Sequence, residues 1–310
     1  MPTVYIDEFV GISNRFEALP LAFAIQKKFG HPIVLDWHEL DSFCVKGTKR
    51  GKVGLFAKLG ALRVRNCDLS LFESLGNKKV ICRSLDGPSE YLDPIYLEVA
   101  RRVKAAPFVV EGIQRAFAPW RGRPVVAVHI RQGDYQLVSE SRYDIGAEWP
   151  AVPIWWYAAA MQKVLELQPD TVFFLASNGS AEVLKPITDR FPVFQLDLKS
   201  PYTYKGPDHA SEVNPVADLF ALACCPVLLA TPVSGYSHWA ANVMGAPSDS
   251  IVPISGCTSD NPQFGLVRMF GSRMPRWRES GRTGSDILPL GERWQGVDLS
   301  RPANLEWLAT

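Results

Sequence analysis

The chain of 310 residues is 47% hydrophobic and 21% charged, a composition typical of a globular protein with enough apolar residues for a packed core. Its 33 basic and 32 acidic residues nearly cancel, which excludes a general attraction to nucleic acid or to an anionic membrane surface. A phosphorylated ligand would therefore need a local binding site. At about 100–200 residues per domain, the length favours two domains.

Cysteine use and the amino terminus indicate a cytoplasmic protein. The six cysteines form no C-x-x-C pair and no metal-ligand spacing, so we expect reduced, buried thiols. The first residues, MPTVYIDEF, carry acids where a signal peptide would carry bases. The longest apolar run, Leu219–Ala230, is too short to cross a bilayer. We expect no transmembrane segment, which leaves room for a peripheral membrane contact.

The first part of the chain predicts alternating strands and helices, although residues 40–90 give no clear pattern. The predicted elements are a strand Thr3–Phe9, a glycine-containing loop Gly11–Asn14, a helix Arg15–Phe29, a strand Pro32–Trp37, a helix Pro94–Ala106 and a proline-broken linker Arg115–Pro124.

The second part has the clearest periodicity. Its predicted strands are Pro124–Arg131, Thr171–Ala176, Val193–Leu198, Val227–Thr231 and Ser250–Ser255. Its predicted helices are Pro153–Leu167, Ala181–Phe191, Asn214–Cys225 and Ser234–Met244, with Asn214 as N-cap. Alternating strands and helices imply parallel sheets, so we predict two Rossmann-like α/β domains facing a central cleft. The predicted domains are 1–120 and 121–257, with a C-terminal extension, 258–310, packing over them.

A polar cluster follows the strongest predicted strand, at the end where open α/β sheets bind ligands. It consists of His129, Arg131 and Asp134. Arg131 offers a planar fork of donors suited to a pyrophosphate, and Gly133 allows a sharp turn close to a ligand. His129 could donate to a phosphate oxygen, and Asp134 could orient Arg131 or accept from a sugar hydroxyl. On the residues alone, a purely structural salt bridge between Arg131 and Asp134 fits equally well.

Three stretches together resemble a known family. HIRQGDY, at His129–Tyr135, resembles the H-x-R-x-G-D-Y motif of α-1,2-fucosyltransferases, whose superfamily includes α-1,6- and protein O-fucosyltransferases. VGISNRFEAL, at Val10–Leu19, resembles the family's GGLGNQ- or GGLGNR-type loop. SGYSHWAANVMG, at Ser234–Gly245, resembles its STFSWWGAWL-type motif. The strand Thr171–Ser177 also fits the position of the family's FFIFS-type segment.

The resemblance implies a GT-B-like fold with an N-terminal acceptor side and a C-terminal donor-binding domain. It implies GDP-fucose as donor, a glycan or small-molecule acceptor, and inversion at the sugar carbon with no cofactor and no obligatory metal. The chain also has no D-x-D motif flanked by apolar strands. The implied site residues are Arg131 at the β-phosphate, His129 at the phosphates or ribose, Ser234 and Ser237 at phosphate oxygens, Asn14 near the sugar or phosphate, Asp134 in the donor site, and Asp218 at the guanosine.

The proton acceptor of such a transfer is open. Glu140 is the first candidate, because it lies in the loop after HIRQGDY and the α-1,6 relatives keep a glutamate at a similar distance. The alternatives are Asp144, Glu148, Asp36 and Glu8, and any of these carboxylates could equally be a solvated loop charge.

The chain departs from the family pattern in each motif. Gln132 stands where many members have a second arginine, Gly235 replaces the threonine of the late motif, and Ile12-Ser13-Asn14 lacks the second glycine. These departures leave two alternatives: a transferase using another GDP-sugar, or a catalytically inactive protein that binds a nucleotide sugar or glycan.

Two further groups of residues have both a structural and a functional interpretation. The tryptophans that follow HIRQGDY favour core packing over stacking on an acceptor sugar (Trp149, Trp155 and Trp156). The arginines of the tail favour salt-bridged surface, with a cleft-facing subset as the alternative (Arg268, Arg273, Arg276, Arg278 and Arg282).

Overall fold

The computed structural model describes residues 2–146, 149–199 and 214–309. These residues form two compact units. The first comprises the described residues within Met1–Val109 and Lys199–Val216, and the second those within Val110–Leu198 and Ala217–Thr310.

The first unit is built on a five-stranded parallel sheet. Its elements are β1 (Val4–Asp7), α1 (Ile12–Glu17), α2 (Leu19–Phe29), β2 (Ile33–Asp36), β3 (Phe43–Val45), β4 (Thr48–Arg50), α3 (Leu55–Lys58), β5 (Leu62–Val64), α4 (Leu69–Glu73), β6 (Val80–Cys82), α5 (Ser89–Leu92), α6 (Tyr96–Ala100) and β7 (Val103–Ala105). The strand order is β4-β2-β1-β6-β5, and β3 pairs separately with β7 in an antiparallel ribbon.

The second unit is built on a seven-stranded sheet. The remaining elements are α7 (Pro107–Phe117), β8 (Val125–Ile130), α8 (Ile154–Leu167), β9 (Val172–Ser177), α9 (Ala181–Thr188), β10 (Val193–Phe194), α10 (Pro215–Leu222), β11 (Val227–Leu229), α11 (Gly235–Asn242), β12 (Asp249–Pro253), β13 (Phe264–Val267), α12 (Met274–Thr283) and β14 (Leu288–Pro289). The order is β10-β9-β8-β11-β12-β13-β14. The first five strands are parallel, and β13 and β14 add antiparallel to the edge.

Every residue of β8 is buried, because the centre of a parallel sheet is covered on both faces. On one face, Val126, Val128 and Ile130 enter a core that also contains Trp156 and Tyr157 of α8. This explains why β8 reads as the strongest strand in the sequence.

Four predicted elements differ in the structure. Of the predicted strand Val193–Leu198, only Val193–Phe194 forms a strand, β10. The predicted helix Arg15–Phe29 is divided into α1 and α2, and Pro20 lies in the first turn of α2. The predicted helix Pro94–Ala106 was wrong at its end, because Val103–Ala105 is a strand paired with β3. The predicted linker Arg115–Pro124 was also wrong, because α7 continues to Phe117, whose ring packs on Phe194 with centroids 5.0 Å apart.

The residues after Cys257 add β13, α12 and β14 to the second unit, although their sequence shows no clear period. The carboxyl-terminal segment returns to the helix α10. Trp307 stacks on Phe220 with ring centroids 5.7 Å apart, and the Asn304 N–H donates to the Cys224 carbonyl at 2.8 Å. This segment is therefore part of the packed unit.

Gly245 tests this packing. Its φ is +62°, and an added Cβ would lie 2.6 Å from the Ala223 carbonyl oxygen and 3.1 Å from the Trp307 ring. Gly284 has a similar φ of +73° but open space around it. We expect Gly245→Ala to lower the free energy of unfolding by about 1–3 kcal/mol more than Gly284→Ala, measured by urea denaturation. Equal losses would contradict the proposed close contact.

Candidate functional site

His129 links the end of β8 to the helix α11. Its imidazole is 4% exposed, and its Nδ1 lies 2.7 Å from the Ser237 hydroxyl oxygen. The same oxygen accepts the Thr231 N–H at 3.1 Å, and the imidazole stacks on Tyr236 with centroids 4.8 Å apart. Burial, and then the charge of Arg131, lower the pKa of His129 to about 3. The imidazole is therefore a neutral hydrogen-bonding group at physiological pH.

Thr231 holds the backbone where β8 ends. Its hydroxyl donates to the His129 carbonyl at 2.9 Å and accepts the Arg131 N–H at 3.3 Å. The Tyr157 hydroxyl donates to the same carbonyl at 2.9 Å and also lies 2.9 Å from the Thr231 oxygen. The backbone of the cluster is thus fixed by buried side chains from α8 and from the segment after β11.

Arg131 forms the salt bridge that the structural interpretation predicted. Its Nη2 donates to Oδ2 of Asp134 at 2.5 Å, and Gly133 between them has a φ of +79°. The guanidinium lies 5.7 Å from the centroid of the Tyr135 ring. However, 34% of the Arg131 side chain is exposed, so the bond to Asp134 orients the fork without burying it. The two interpretations of the pair are therefore compatible.

Asn178, directly after β9, clamps the loop after β8. Its side-chain amide accepts the Gln132 N–H and donates to the Gln132 carbonyl, both at 2.7 Å. The Gln132 side chain in turn donates to the Val152 carbonyl at 3.3 Å. Gln132 therefore has a positioning role. The available signal was an Asn-Gly-Ser turn directly after β9, the strand beside β8.

A sharp turn precedes α11. Val233 is completely buried and has a φ of +65°, which is unusual for a β-branched residue. Ser234 follows at the N-cap position, its side chain hydrogen-bonded to the Tyr135 hydroxyl and its carbonyl accepting Trp277 Nε1–H at 3.0 Å. The late motif thereby lies at the end of β8, next to HIRQGDY.

Asp218 lies in α10 and is 6% exposed. Burial raises the pKa of Asp218 to about 7. The pKa of Tyr236, which stacks on His129, is raised first by burial and then by the charge of Asp218. Asp218 thus lies in the same electrostatic neighbourhood as the predicted phosphate residues.

The first unit has its own polar cluster after β1. Arg15 is completely buried and donates to both oxygens of Glu39, at 2.6 and 3.0 Å. Glu8 is hydrogen-bonded to Nδ1 of His38, and its pKa is raised by burial and then by the charge of Glu39. Asn14 lies beside this cluster in sequence, in α1, and is partly exposed. The cluster could hold a proton on Glu8.

The other predicted base candidates lie in different surroundings. Glu140 is exposed, and its carbonyl accepts the Trp155 indole N–H at 2.9 Å. Asp144 is 3.5 Å from Arg142, and Asp36 accepts the Val53 N–H at 2.8 Å. Glu148 lies outside the described residues.

Among residues 2–146, 149–199 and 214–309, no group of three or more His, Cys, Asp or Glu side chains is arranged to hold a metal ion. Within the same ranges, no helix combines the length and apolarity needed to span a bilayer.

Comparisons with known proteins show the fold class. No protein family model and no curated protein matches the sequence. The structure is similar to the fucosyltransferase NodZ from Bradyrhizobium, with a TM-score of 0.52 and 14% identity over 87% of this chain and 99% of that one. NodZ α-1,6-fucosyltransferase soaked with GDP-fucose is similar with a TM-score of 0.51 and 13% identity, over 87% of this chain and 100% of that one. POFUT1 in complex with GDP-fucose is similar with a TM-score of 0.49 and 10% identity, over 81% of this chain and 97% of that one.

The NodZ comparison confirms the predicted α/β, GT-B-like fold class of Rossmann-like units. At 13–14% identity, this similarity shows the fold class, and an activity must be argued from the residues of the site.

The raised pKa of Asp218 makes stability depend on pH. Between its ordinary value of 3.8 and about 7, the folded state keeps a proton that the unfolded chain releases. This contribution to the free energy of unfolding therefore falls as pH rises through that window. We expect Asp218→Asn to gain about 2–3 kcal/mol relative to the wild type between about pH 5 and pH 8, measured by urea denaturation. The exposed Asp170→Asn should leave the profile unchanged. Identical profiles for Asp218→Asn and the wild type would show that Asp218 keeps its ordinary pKa.

Proposed function

We propose that the protein is a glycosyltransferase that moves fucose from GDP-fucose to a glycan or small-molecule hydroxyl, with the second unit holding the donor. One observation carries this proposal. His129 and Ser237, from two motifs 108 residues apart in sequence, meet in a hydrogen bond of 2.7 Å at the carboxyl end of β8. The site thus lies where sheets of this class bind ligands. The similar fold of NodZ, whose crystals were soaked with GDP-fucose, supports the choice of donor.

In the proposed site, Arg131 neutralises the β-phosphate as GDP leaves. Asp134 occupies one guanidinium nitrogen and leaves the rest of the fork for phosphate oxygens. His129 acts as a neutral donor: when the Ser237 hydroxyl donates to Nδ1, Nε2 carries the hydrogen and can bind a phosphate or ribose oxygen. Ser234 and the N–H groups at the start of α11 favour an anion by the helix dipole.

Asp218 is proposed to bind the guanine base. An ionised carboxylate can accept from the ring N–H and the amino group of guanine at once, which uracil and cytosine cannot match. Asp218 is buried and its charge affects Tyr236, which stacks on His129. Tyr236 therefore connects the residue proposed to bind the guanine with a residue proposed to bind the phosphates. Asn14 of the first unit is a further proposed donor contact.

The transfer is proposed to invert the sugar carbon without a metal, which requires a group to receive the acceptor proton. We propose Glu8, one of the alternatives to the first candidate Glu140, because burial raises the pKa of Glu8 and His38 binds one of its oxygens. A carboxylate with a raised pKa is a stronger base.

The α-1,2 linkage rests on the HIRQGDY motif, whereas the solved NodZ is an α-1,6-enzyme. We propose an α-1,2 product made in the cytoplasm, and linkage analysis of the product distinguishes the two subtypes. Transfer in excess EDTA tests metal independence. Binding of GDP without transfer or donor hydrolysis would instead support an inactive binding protein, and turnover of another GDP-sugar would change the donor.

Donor binding is tested by thermal shift with GDP, UDP and CMP. We expect GDP to stabilise the protein by several degrees, because a ligand at about 100 times its Kd adds about 2.7 kcal/mol. Arg131→Ala should abolish most of this shift and Arg131→Lys should weaken it, since a point charge cannot replace the fork. Arg142→Ala is the matched control, an exposed arginine paired with Asp144 at 3.5 Å. Stabilisation by UDP and not GDP, or an unchanged shift in Arg131→Ala, would contradict the proposal.

The base is tested by comparing Glu8→Gln with Glu140→Gln in GDP affinity and turnover. We expect Glu8→Gln to lower kcat by about 10²-fold or more while GDP affinity is retained, and Glu140→Gln to keep wild-type turnover. Because the pKa of Glu8 is raised, wild-type kcat should fall as the pH drops and Glu8 becomes protonated, at a higher pH than for an ordinary glutamate. The reverse ranking of the two variants assigns the base to Glu140, and unchanged turnover in both excludes both residues.

A further inference from the structure

The helix α12 is fixed directly to the turn before α11. Trp277 is 2% exposed and donates its indole N–H to the Ser234 carbonyl at 3.0 Å. A Cβ added at Gly281 would lie 3.0 Å from the Val233 nitrogen, which is closer than ordinary van der Waals contact, so the helix packs tightly against the turn. The position of α12 relative to the proposed phosphate site is therefore set by packing on both sides of the turn.

Arg278, the residue after Trp277, is connected to Arg131 through contacts with two aromatic rings. Its guanidinium lies 5.2 Å from the centroid of Trp149, and the Trp149 ring lies 5.9 Å from Tyr135. Arg131 lies 5.7 Å from the other ring of the pair, Tyr135. The two cations thus flank one aromatic pair, an arrangement that cation–π attraction favours.

The pKa of Tyr135 responds to the charges of both arginines. Burial raises the pKa of Tyr135, and the charges of Arg131 and Arg278 both oppose this, as does the hydrogen bond from Ser234. Burial also lowers the pKa of His238, in the first turns of α11, and Arg278 adds to this effect. The charge of Arg278 therefore affects the pKa values of both Tyr135 and His238.

We propose that Arg278 is a second cationic ligand of the donor diphosphate, binding it together with Arg131. This inference rests on the proposed function. A nucleoside diphosphate carries more than one negative charge, and the Arg131 guanidinium is shared with Asp134. The neighbouring Gln132 is neutral and donates to a backbone carbonyl. A second fork from α12 supplies the missing charge and a bidentate partner for phosphate oxygens.

Arg276 provides a matched control on the same helix. It is 3.4 Å from Asp286, and its side chain is 62% exposed. Replacing Arg276 or Arg278 removes the same charge from α12, so only a local contact of Arg278 with the ligand distinguishes the two variants.

The experiment measures GDP and guanosine affinity by calorimetry for the full chain and for Arg278→Ala, Arg278→Lys and Arg276→Ala. We expect Arg278→Ala to weaken GDP binding by about tenfold or more, as loss of a charged hydrogen bond does, while guanosine affinity stays unchanged. Arg278→Lys should lie between Arg278→Ala and the wild type. Arg276→Ala should bind both ligands as the wild type does.

Two results overturn this inference alone. The first is GDP affinity that is unchanged in Arg278→Ala while the wild type binds GDP. The second is an equal loss of GDP and guanosine affinity, which would show that Arg278 supports the fold of the site. If Arg278→Ala does not fold, the same comparison is made with Arg278→Lys, for which unchanged GDP affinity has the same meaning. A wild-type chain that binds no GDP overturns the proposed function together with the inference.

Discussion

The hydrogen bond between His129 and Ser237 is the interaction on which the candidate site depends. It joins the end of β8 to α11 where the sheet ladder between β8 and β11 has already ended. Thr231 and Tyr157 reinforce the junction by sharing the His129 carbonyl. All these groups are buried, and leaving any of them unpaired would cost about 1–3 kcal/mol. The position of Arg131 and the direction of α11 therefore follow from one small polar network inside an apolar unit.

The site combines this neutral network with charges held apart by aromatic rings. Tyr236 separates His129 from the region of Asp218, while Tyr135 and Trp149 separate Arg131 from Arg278. Aromatic surroundings lower the local dielectric, so each charge acts more strongly on a ligand than it would in water. The proposed donor, with a planar base at one end and a diphosphate at the other, matches this order of groups.

Most strands of the second unit could be predicted, because a strand buried on both faces leaves a continuous apolar run such as β8. The predicted strand Val193–Leu198 is reduced to Val193–Phe194. The role of Asn178 could not be predicted, because its side-chain amide binds the backbone of Gln132, which is far away in sequence. The helix α12 was missed because its polar residues hide the few that pack, such as Trp277. The predicted linker failed for a similar reason: Phe117 is buried by distant aromatic residues. Long-range packing decided each of these cases.

The strained turn at Val233 has a consequence for how the protein is made. A buried β-branched residue at a φ of +65° costs about 1–3 kcal/mol and persists only where its surroundings hold it. Part of that restraint is α12, which closes on the turn at Gly281. Translation delivers HIRQGDY and the late motif before it delivers α12. A nascent chain can therefore carry both motifs on the ribosome and still lack the finished turn, which forms only after α12 has been made.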